Sequence, residues 1–273
     1  MYVAIDFGIS NTDLAISDKD KISFFSAPSD SANISLDMIK DLFIKNNISI
    51  SSVKTIGVTG GKSSDLDNSI EGIEIIKVNE IEAIGLGAKK LYGIKNESAL
   101  VISAGTGTAC VHVQGNEFNH IGGIAVGGGM LEGLGSLIFK NSNGFEINEF
   151  ADQGSRAELD LLIGDVVNKI GSLSPEITAV NFGQVKNSSA DTIENTAASL
   201  CNMIGEVIGT VAYLNALLIG SDTAYFLGRT SYLSKINSGI NERLGLAGIK
   251  GKYNENREYG NVIGVMEKIK INL

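Results

Sequence analysis

Three short turns carry the residue types best suited to holding a polyanion. Asp6-Phe7-Gly8-Ile9-Ser10-Asn11-Thr12 and Gly105-Thr106-Gly107-Thr108 each lie between β-rich runs. Gly127-Gly128-Gly129 stands immediately before an apolar-periodic stretch, where unpaired backbone N–H groups and a helix dipole favour phosphate. Glycine lets backbone approach a ligand closely, and short hydroxyl side chains add donors. One such turn is ordinary hairpin chemistry. Two in matching positions, with a triple glycine opening a helix, point to a nucleotide cradle. The stretch Gly57-Val58-Thr59-Gly60-Gly61-Lys62-Ser63 is not a Walker loop, because Ile56 occupies the place of the first glycine. It reads as a Gly-Gly turn at a strand end facing a cleft. Cys110 and Cys201 stand in apolar contexts and can make neither a disulfide framework nor a four-thiolate zinc site. His112 and His120, the only histidines, lack metal-ligand company.

These turns need strands and helices to position them, and the pattern supplies both. Tyr2 to Ile5, Asp13 to Ile16 and a run ending near Phe25 read as strands. Met38 to Asn46 reads as a helix, Thr55 to Thr59 as a buried strand, and Asn79 to Tyr92 as a helix with Ile81, Ile84, Ala88 and Leu91 inward. The order then restarts with strands at Leu100 to Ala104 and Cys110 to Val113, and a helix through Leu131, Leu134 and Leu137. Phe145 to Gln153, Arg156 to Ile170 and Thr192 to Leu218 read as helices, and Ala224 to Leu227 as a strand. The class is α/β, duplicated, with a cleft between halves. The restart places one lobe over 1–95 and a second over 96–273.

Composition narrows the partners. Of 273 residues 43% are hydrophobic, enough for a sizeable core, and 33 are glycine, about 12% against an average near ~7%. The formal net charge of −9 disfavours nucleic acid and anionic membrane as partners. Local amides can still bind a small anion despite that field. The apolar stretch from Met203 to Gly220 contains Glu206 and Asn215 and reads as a core helix rather than a membrane span. Met1 to Asp6 lacks a basic leader and reaches a carboxylate early, so a cytoplasmic protein is expected.

The chain resembles the type II (eukaryotic-like) pantothenate kinases of the actin-like ATPase and sugar-kinase superfamily. The resemblance rests on Asp6 to Thr12, Thr59-Gly60-Gly61, Asn79-Glu80-Ile81-Glu82, Gly105 to Thr108, and the block from His120 to Gly135. Thr178 to Gly183 and the strand reaching Leu227-Gly228 complete it. It implies two lobes with duplicated ribonuclease H-like mixed sheets flanked by helices. The first lobe would carry one phosphate turn and the catalytic carboxylate. The second would carry the other turn, the Gly-rich helix start and the adenosine site. It further implies a homodimer that uses ATP and Mg²⁺ to phosphorylate pantothenate to 4′-phosphopantothenate, opening coenzyme A synthesis. Coenzyme A is a candidate feedback ligand.

By the same resemblance Glu80 is the catalytic carboxylate; taken alone, it reads as a solvated first-turn glutamate. Asp6 would orient Mg²⁺ through water. Asp6, Gly8, Ser10, Asn11, Thr12, Thr106, Gly107, Gly127, Gly128, Gly129, Met130, Leu131, Gly228 and Arg229 would contact ATP. Gly105, Thr108, Ala109, His120, Gly122 and Gly123 would face the substrate. Four positions depart from the family pattern. Asp13 replaces a phosphate-reaching lysine, for which Lys62 or another base would compensate. Ala109 replaces a serine, His120 a substrate-holding arginine, and Arg229 a small hydroxyl residue near adenine. Two further readings therefore stand beside the kinase. One is a weakly catalytic homologue that binds nucleotide or a coenzyme A thioester as a regulatory module. The other is a kinase of another small hydroxylated substrate.

Overall fold

The computed structural model describes residues 1–19, 21–29, 34–61, 63–168, 174–187 and 189–272. Lys62 and the end of the helix expected over 156–170 lie outside them.

The first sheet starts as an antiparallel meander of β1 (Tyr2–Phe7), β2 (Asn11–Asp18) and β3 (Lys21–Pro28). β1 is a nearly unbroken apolar run and is buried on both faces, as a central strand must be. α1 (Leu36–Lys45) starts at Ser35, whose hydroxyl accepts from the Met38 N–H, and turns Ile39 and Phe43 inward. β4 (Thr55–Thr59) lies parallel to β1; β5 (Ser69–Ile70) and β6 (Ile73–Lys77) extend the sheet beyond it. α2 (Glu80–Tyr92) is capped by Asn79, which accepts from the Ile81 N–H, and ends at Gly93 in the left-handed region.

The second half repeats the scheme. β7 (Ser98–Ala104), β8 (Thr108–Gln114) and β9 (Glu117–Ile124) form a second meander, followed by α3 (Gly128–Phe139) and α4 (Gly144–Gln153). The expected helix from 156 is instead a 3-10 turn at Arg156–Glu158, β10 (Leu161–Leu162) and the single turn α5 (Ile163–Val166), with β10 paired to β11 (Thr178–Val180). The physical reason is Asp160: it is fully buried and accepts from the Phe182 N–H, which commits the segment to a bend. α6 (Ile193–Ile219) has the length and apolarity of a membrane span, yet it packs against α4 and α7 and buries Asn202 and Glu206 on its inner face. β12 (Thr223–Leu227), α7 (Ser234–Leu246), β13 (Lys250–Tyr253) and α8 (Gly260–Ile271) complete the chain.

The sheet orders are β3-β2-β1-β4-β6-β5 and β13-β12-β7-β8-β9. In both, a meander is followed by two parallel strands, so the duplication expected from the sequence is present. α8 returns to the first sheet. Val262, Val265, Met266 and Ile269 pack with Ala4, Ala15 and Ala83. The other side of α2 packs on the second sheet, with Ile84 and Ala88 against Val101, Val111 and Leu227. α2 is thus clamped between the halves.

The clamp is a backbone contact. A Cβ added at Gly264 would lie 1.8 Å from the Ala83 carbonyl oxygen, and one at Gly87 would lie 1.9 Å from that of Gly260. Lys268 closes the crossing with a 2.7 Å bond to Glu82. Gly264→Ala should therefore destabilise the protein by about 2–3 kcal/mol through overpacking. The gain of about 1 kcal/mol in helix propensity is too small to offset it. Urea denaturation measures the difference; an unchanged or raised midpoint would mean the helices can separate freely.

Candidate active site

The strand ends of both sheets open into one cavity of about 940 Å³ between the halves. The β1–β2 and β7–β8 turns face each other there, and Ser10 Oγ and Thr106 Oγ1 share a 2.9 Å hydrogen bond. The second turn is buckled to the start of α3. Gly128 N–H donates to the Gly105 carbonyl at 2.8 Å and Gly129 N–H to that of Thr106 at 3.0 Å. Thr230, beyond β12, donates its hydroxyl to the Gly105 carbonyl at 2.7 Å and accepts from the Gly128 N–H at 3.0 Å. The expectation that this triple glycine offers unpaired amides therefore needs correction: two of them are spent on the turn. Glycine is required there by contact, since a Cβ at Gly127 would come within 3.0 Å of three carbonyl oxygens, those of Gly105, Thr106 and Gly107.

Two carboxylates face the cavity from the first half. Glu80, the first residue of α2, is exposed within it. Asp6, at the end of β1, is 8% exposed and accepts a 2.9 Å hydrogen bond from Asn261 Nδ2 on α8. Burial pushes the Asp6 carboxyl up to about 7; the Asn261 bond opposes this, and the negative charges of Asp13 and Glu80 add to it. Gly60 makes the approach possible, because a Cβ there would lie 2.3 Å from Asp6 Oδ1. A buried hard-oxygen donor beside other carboxylates suits Mg²⁺ held through water, since a divalent charge reverses the cost of ionising Asp6. Among the described residues there is no cluster of three or more His, Cys, Asp or Glu placed to hold a metal ion.

The cavity collects most of the positions singled out from the sequence. Asp6, Gly8, Ser10, Asn11, Glu80, Gly105, Thr106, Gly107, Thr108, Ala109, His120, Gly123, Gly128, Gly129, Leu131, Gly228 and Arg229 all line it. Four do not. Thr12 is buried, its hydroxyl 3.0 Å from that of Ser29. Gly127 packs on the second turn, Met130 packs into the second core, and Gly122 faces Asn215 of α6. The reason for Gly122 is a register shift between Cys110 and Val111, which separates His120 and Gly122 across β8. The Thr108 hydroxyl is already donated to the Val126 carbonyl at 2.8 Å. Cys110 and Cys201 are buried, and burial pushes their thiols up to about 11 and 12, as inert core residues.

Sequence reasoning did not find Glu132, Phe145, Thr230, Glu258 or Asn261, all of which line the cavity. Asn261 acts on a residue 255 positions away, and no local spacing signals that. The sequence expectations also left unseen that two of the departures touch. Arg229 grips Asp13 through a two-point contact, Nη1 to Oδ2 at 2.9 Å and Nη2 to Oδ1 at 2.6 Å. Burial lowers the Arg229 pKa, but the Asp13 hydrogen bonds together with the negative charges of Asp13 and Glu258 outweigh it, and the net shift is upward.

Residues 96–239 match the protein family described as Fumble. A protein of Oceanobacillus iheyensis named type II pantothenate kinase is 32% identical over 178 residues, spanning 63% of this chain and 66% of that protein, just under two thirds of its length. One of Bacillus cereus strain G9842 with the same name is 32% identical over 202 residues, 69% of this chain and 70% of the relative. One of Bacillus anthracis is 29% identical over 241 residues, 84% and 82% of the two chains. Among solved structures, the ADPNP-bound activator of the 2-hydroxyisocaproyl-CoA dehydratase from Clostridium difficile superposes with a TM-score of 0.62 at 14% identity, covering 98% of this chain and 97% of that one. A ROK family glucokinase from Streptomyces griseus gives 0.59 at 12% identity, covering 97% and 98%. The shared feature is the two-lobed α/β fold with duplicated mixed sheets.

The Asp6 environment sets a pH dependence. The carboxyl titrates near 3.8 in an unfolded chain and near 7 in the folded one. The stability it contributes is therefore complete below about pH 4 and lost as pH rises through about 7. Asp6→Asn does not titrate, so without divalent cations its melting temperature should gain on the wild type as pH rises from about 5.5 to about 8.5. A constant difference across that range would mean Asp6 is ionised throughout.

Proposed function

The chain belongs to the Fumble family of type II pantothenate kinases, and from that premise we propose that it transfers the γ-phosphoryl group of ATP to the terminal hydroxyl of pantothenate. One observation carries the reading: the Glu80 carboxylate opens into the same cavity as both phosphate turns. A hydroxyl attacking a phosphoryl group needs a positioned acceptor for its proton, and the remaining catalysis is alignment and charge stabilisation. Glu80 accepts that proton at the mouth of α2. Amides and hydroxyls of the turns at 8–11 and 105–107 orient the phosphates from opposite sides. Asp6, fixed by Asn261, would hold Mg²⁺, which would supply charge neutralisation at the phosphate oxygens. Leu131, Phe145 and Leu233 give the cavity an apolar lining that suits a flat base.

Coenzyme A contains the pantothenate chain and is read as a feedback ligand of the same cleft. Exposed Leu214, Leu217 and Leu218 on α6 support pairing of two copies into a homodimer. A second reading has a specific observation behind it. His120 and Ala109 line the cavity where the family resemblance implies an arginine and a serine, and this favours a kinase of another small hydroxylated substrate. ADP release measured with pantothenate, with pantetheine and without acceptor separates these readings. Release dependent on pantothenate supports the first; release with a neutral acceptor alone would overturn it.

Two substitutions test the roles. Glu80→Gln should leave Mg-ATP affinity nearly intact and lower turnover by ~10²–10⁴. Full turnover in that variant would remove Glu80 from the mechanism. His120→Arg should strengthen pantothenate binding by roughly fivefold in calorimetry, since a guanidinium grips a carboxylate at two points and an imidazole at one. Weaker binding in the arginine variant would argue for a neutral substrate.

A further inference from the structure

The cavity is rich in carboxylates and short of cations. Asp6, Asp13, Glu80, Glu132 and Glu258 line it, against Arg229 and Arg257 among the described residues. Each of the three guanidinium nitrogens of Arg257 is tied into its own half of the molecule. Its Nε donates to Ser231 Oγ at 2.8 Å, Nη1 to the Asn254 carbonyl at 2.9 Å, and Nη2 to the Ser231 carbonyl at 3.2 Å. Its guanidinium also lies 3.4 Å over the Tyr232 ring. It is a structural arginine, holding the loop after β12 to the one after β13.

Arg229 leaves as many donors free as Arg257, but its bonds run only through Nη1 and Nη2, and they reach the other half. A guanidinium has five N–H donors. Two go to Asp13 and a third goes from Nη2 to Ser26 Oγ at 3.0 Å. The Nε–H and one Nη1–H have no partner among the described residues. The side chain is 28% exposed, while Asp13 beneath it is 7% exposed. Arg229 projects from the second half and Asp13 stands on β2 of the first, directly after the first phosphate turn. An unpaired carboxylate there would repel a polyphosphate. The two-point pair cancels its charge and fixes the plane of the guanidinium.

We propose that Arg229 is the phosphate-gripping cation of this cleft and that Asp13 is the positioning residue that orients it across from the first phosphate turn. The proposal rests on the nucleotide-binding reading above. It also accounts for two of the four departures with one contact. Where the resemblance implies a lysine on the turn and a small hydroxyl residue after β12, this chain carries the cation on the second half and its counter-charge on the first. The competing account is a latch, in which the pair only ties the halves together.

Calorimetric titration with Mg-ATP separates them, using wild type, Arg229→Ser, Arg229→Lys and the double variant Asp13→Lys/Arg229→Ser. KM for ATP and for the acceptor are measured alongside. Arg229→Ser should weaken Mg-ATP binding about tenfold or more, with the acceptor KM changed by less than about threefold. Arg229→Lys, which keeps the charge without the fork, should lose less. The double variant returns a cation to the first phosphate turn without any ion pair, and should recover affinity to within about threefold of wild type. Unchanged affinity in Arg229→Ser would overturn the proposal. So would a double variant as weak as that single one, which is the latch outcome. Failure of the wild type to bind Mg-ATP would instead overturn the kinase reading itself.

Discussion

The buried carboxylate of Asp6 is the constraint around which the cleft is organised. An ionised group at that depth is costly, and its raised pKa records the cost. Keeping it there demands a donor, which is Asn261, and an absent side chain, which is Gly60. Asn261 is useful only if α8 is held against the first sheet. The glycine contacts between α8 and α2 hold it there, and the same contacts position α2 with Glu80 at its first turn. The two carboxylates that face the cleft, Asp6 and Glu80, are thus linked through one helix crossing. A disturbance of that crossing reaches both.

For a chain of net charge −9, binding a polyanion as proposed would run against its own field. The structure meets this locally. Backbone amides and short hydroxyls of two facing turns supply donors without desolvating a charged side chain, and their close approach depends on glycine. Buried internal bonds from Gly128, Gly129 and Thr230 hold the second turn in its shape, so the cradle is preorganised. The Asp13–Arg229 pair neutralises the carboxylate nearest the first turn. What resembles a deficit of positive charge in the composition is a matter of placement in the cleft.

Duplication explains why the cradle has two sides. Each half builds a meander followed by parallel strands, and each β-hairpin turn emerges at the same end of its sheet. Packing α2 between the halves brings those ends together, and the Ser10–Thr106 bond is the direct result. Neither turn alone encloses a ligand.

The local patterns carried a great deal. Apolar runs and their period specify the β1, β4 and β7 strands, the amphipathic α2 and the long α6, because side-chain burial alternates with a period set by the backbone. The restart of that order announced two related halves, and the Gly- and Thr-rich turns together with the family resemblance marked 17 residues that line the cavity, ten of them in the turns. Other features depend on residues brought together only by folding. Asn261 reaches Asp6 across 255 positions, and Arg229 reaches Asp13 across 216. The bend at Asp160 overrides a helix-like pattern because a buried carboxylate takes a backbone N–H. A register shift turns Gly122 away from the site that His120 faces. In each case the deciding energy is a hydrogen bond or a backbone contact between distant segments, and periodicity along the chain holds no trace of it.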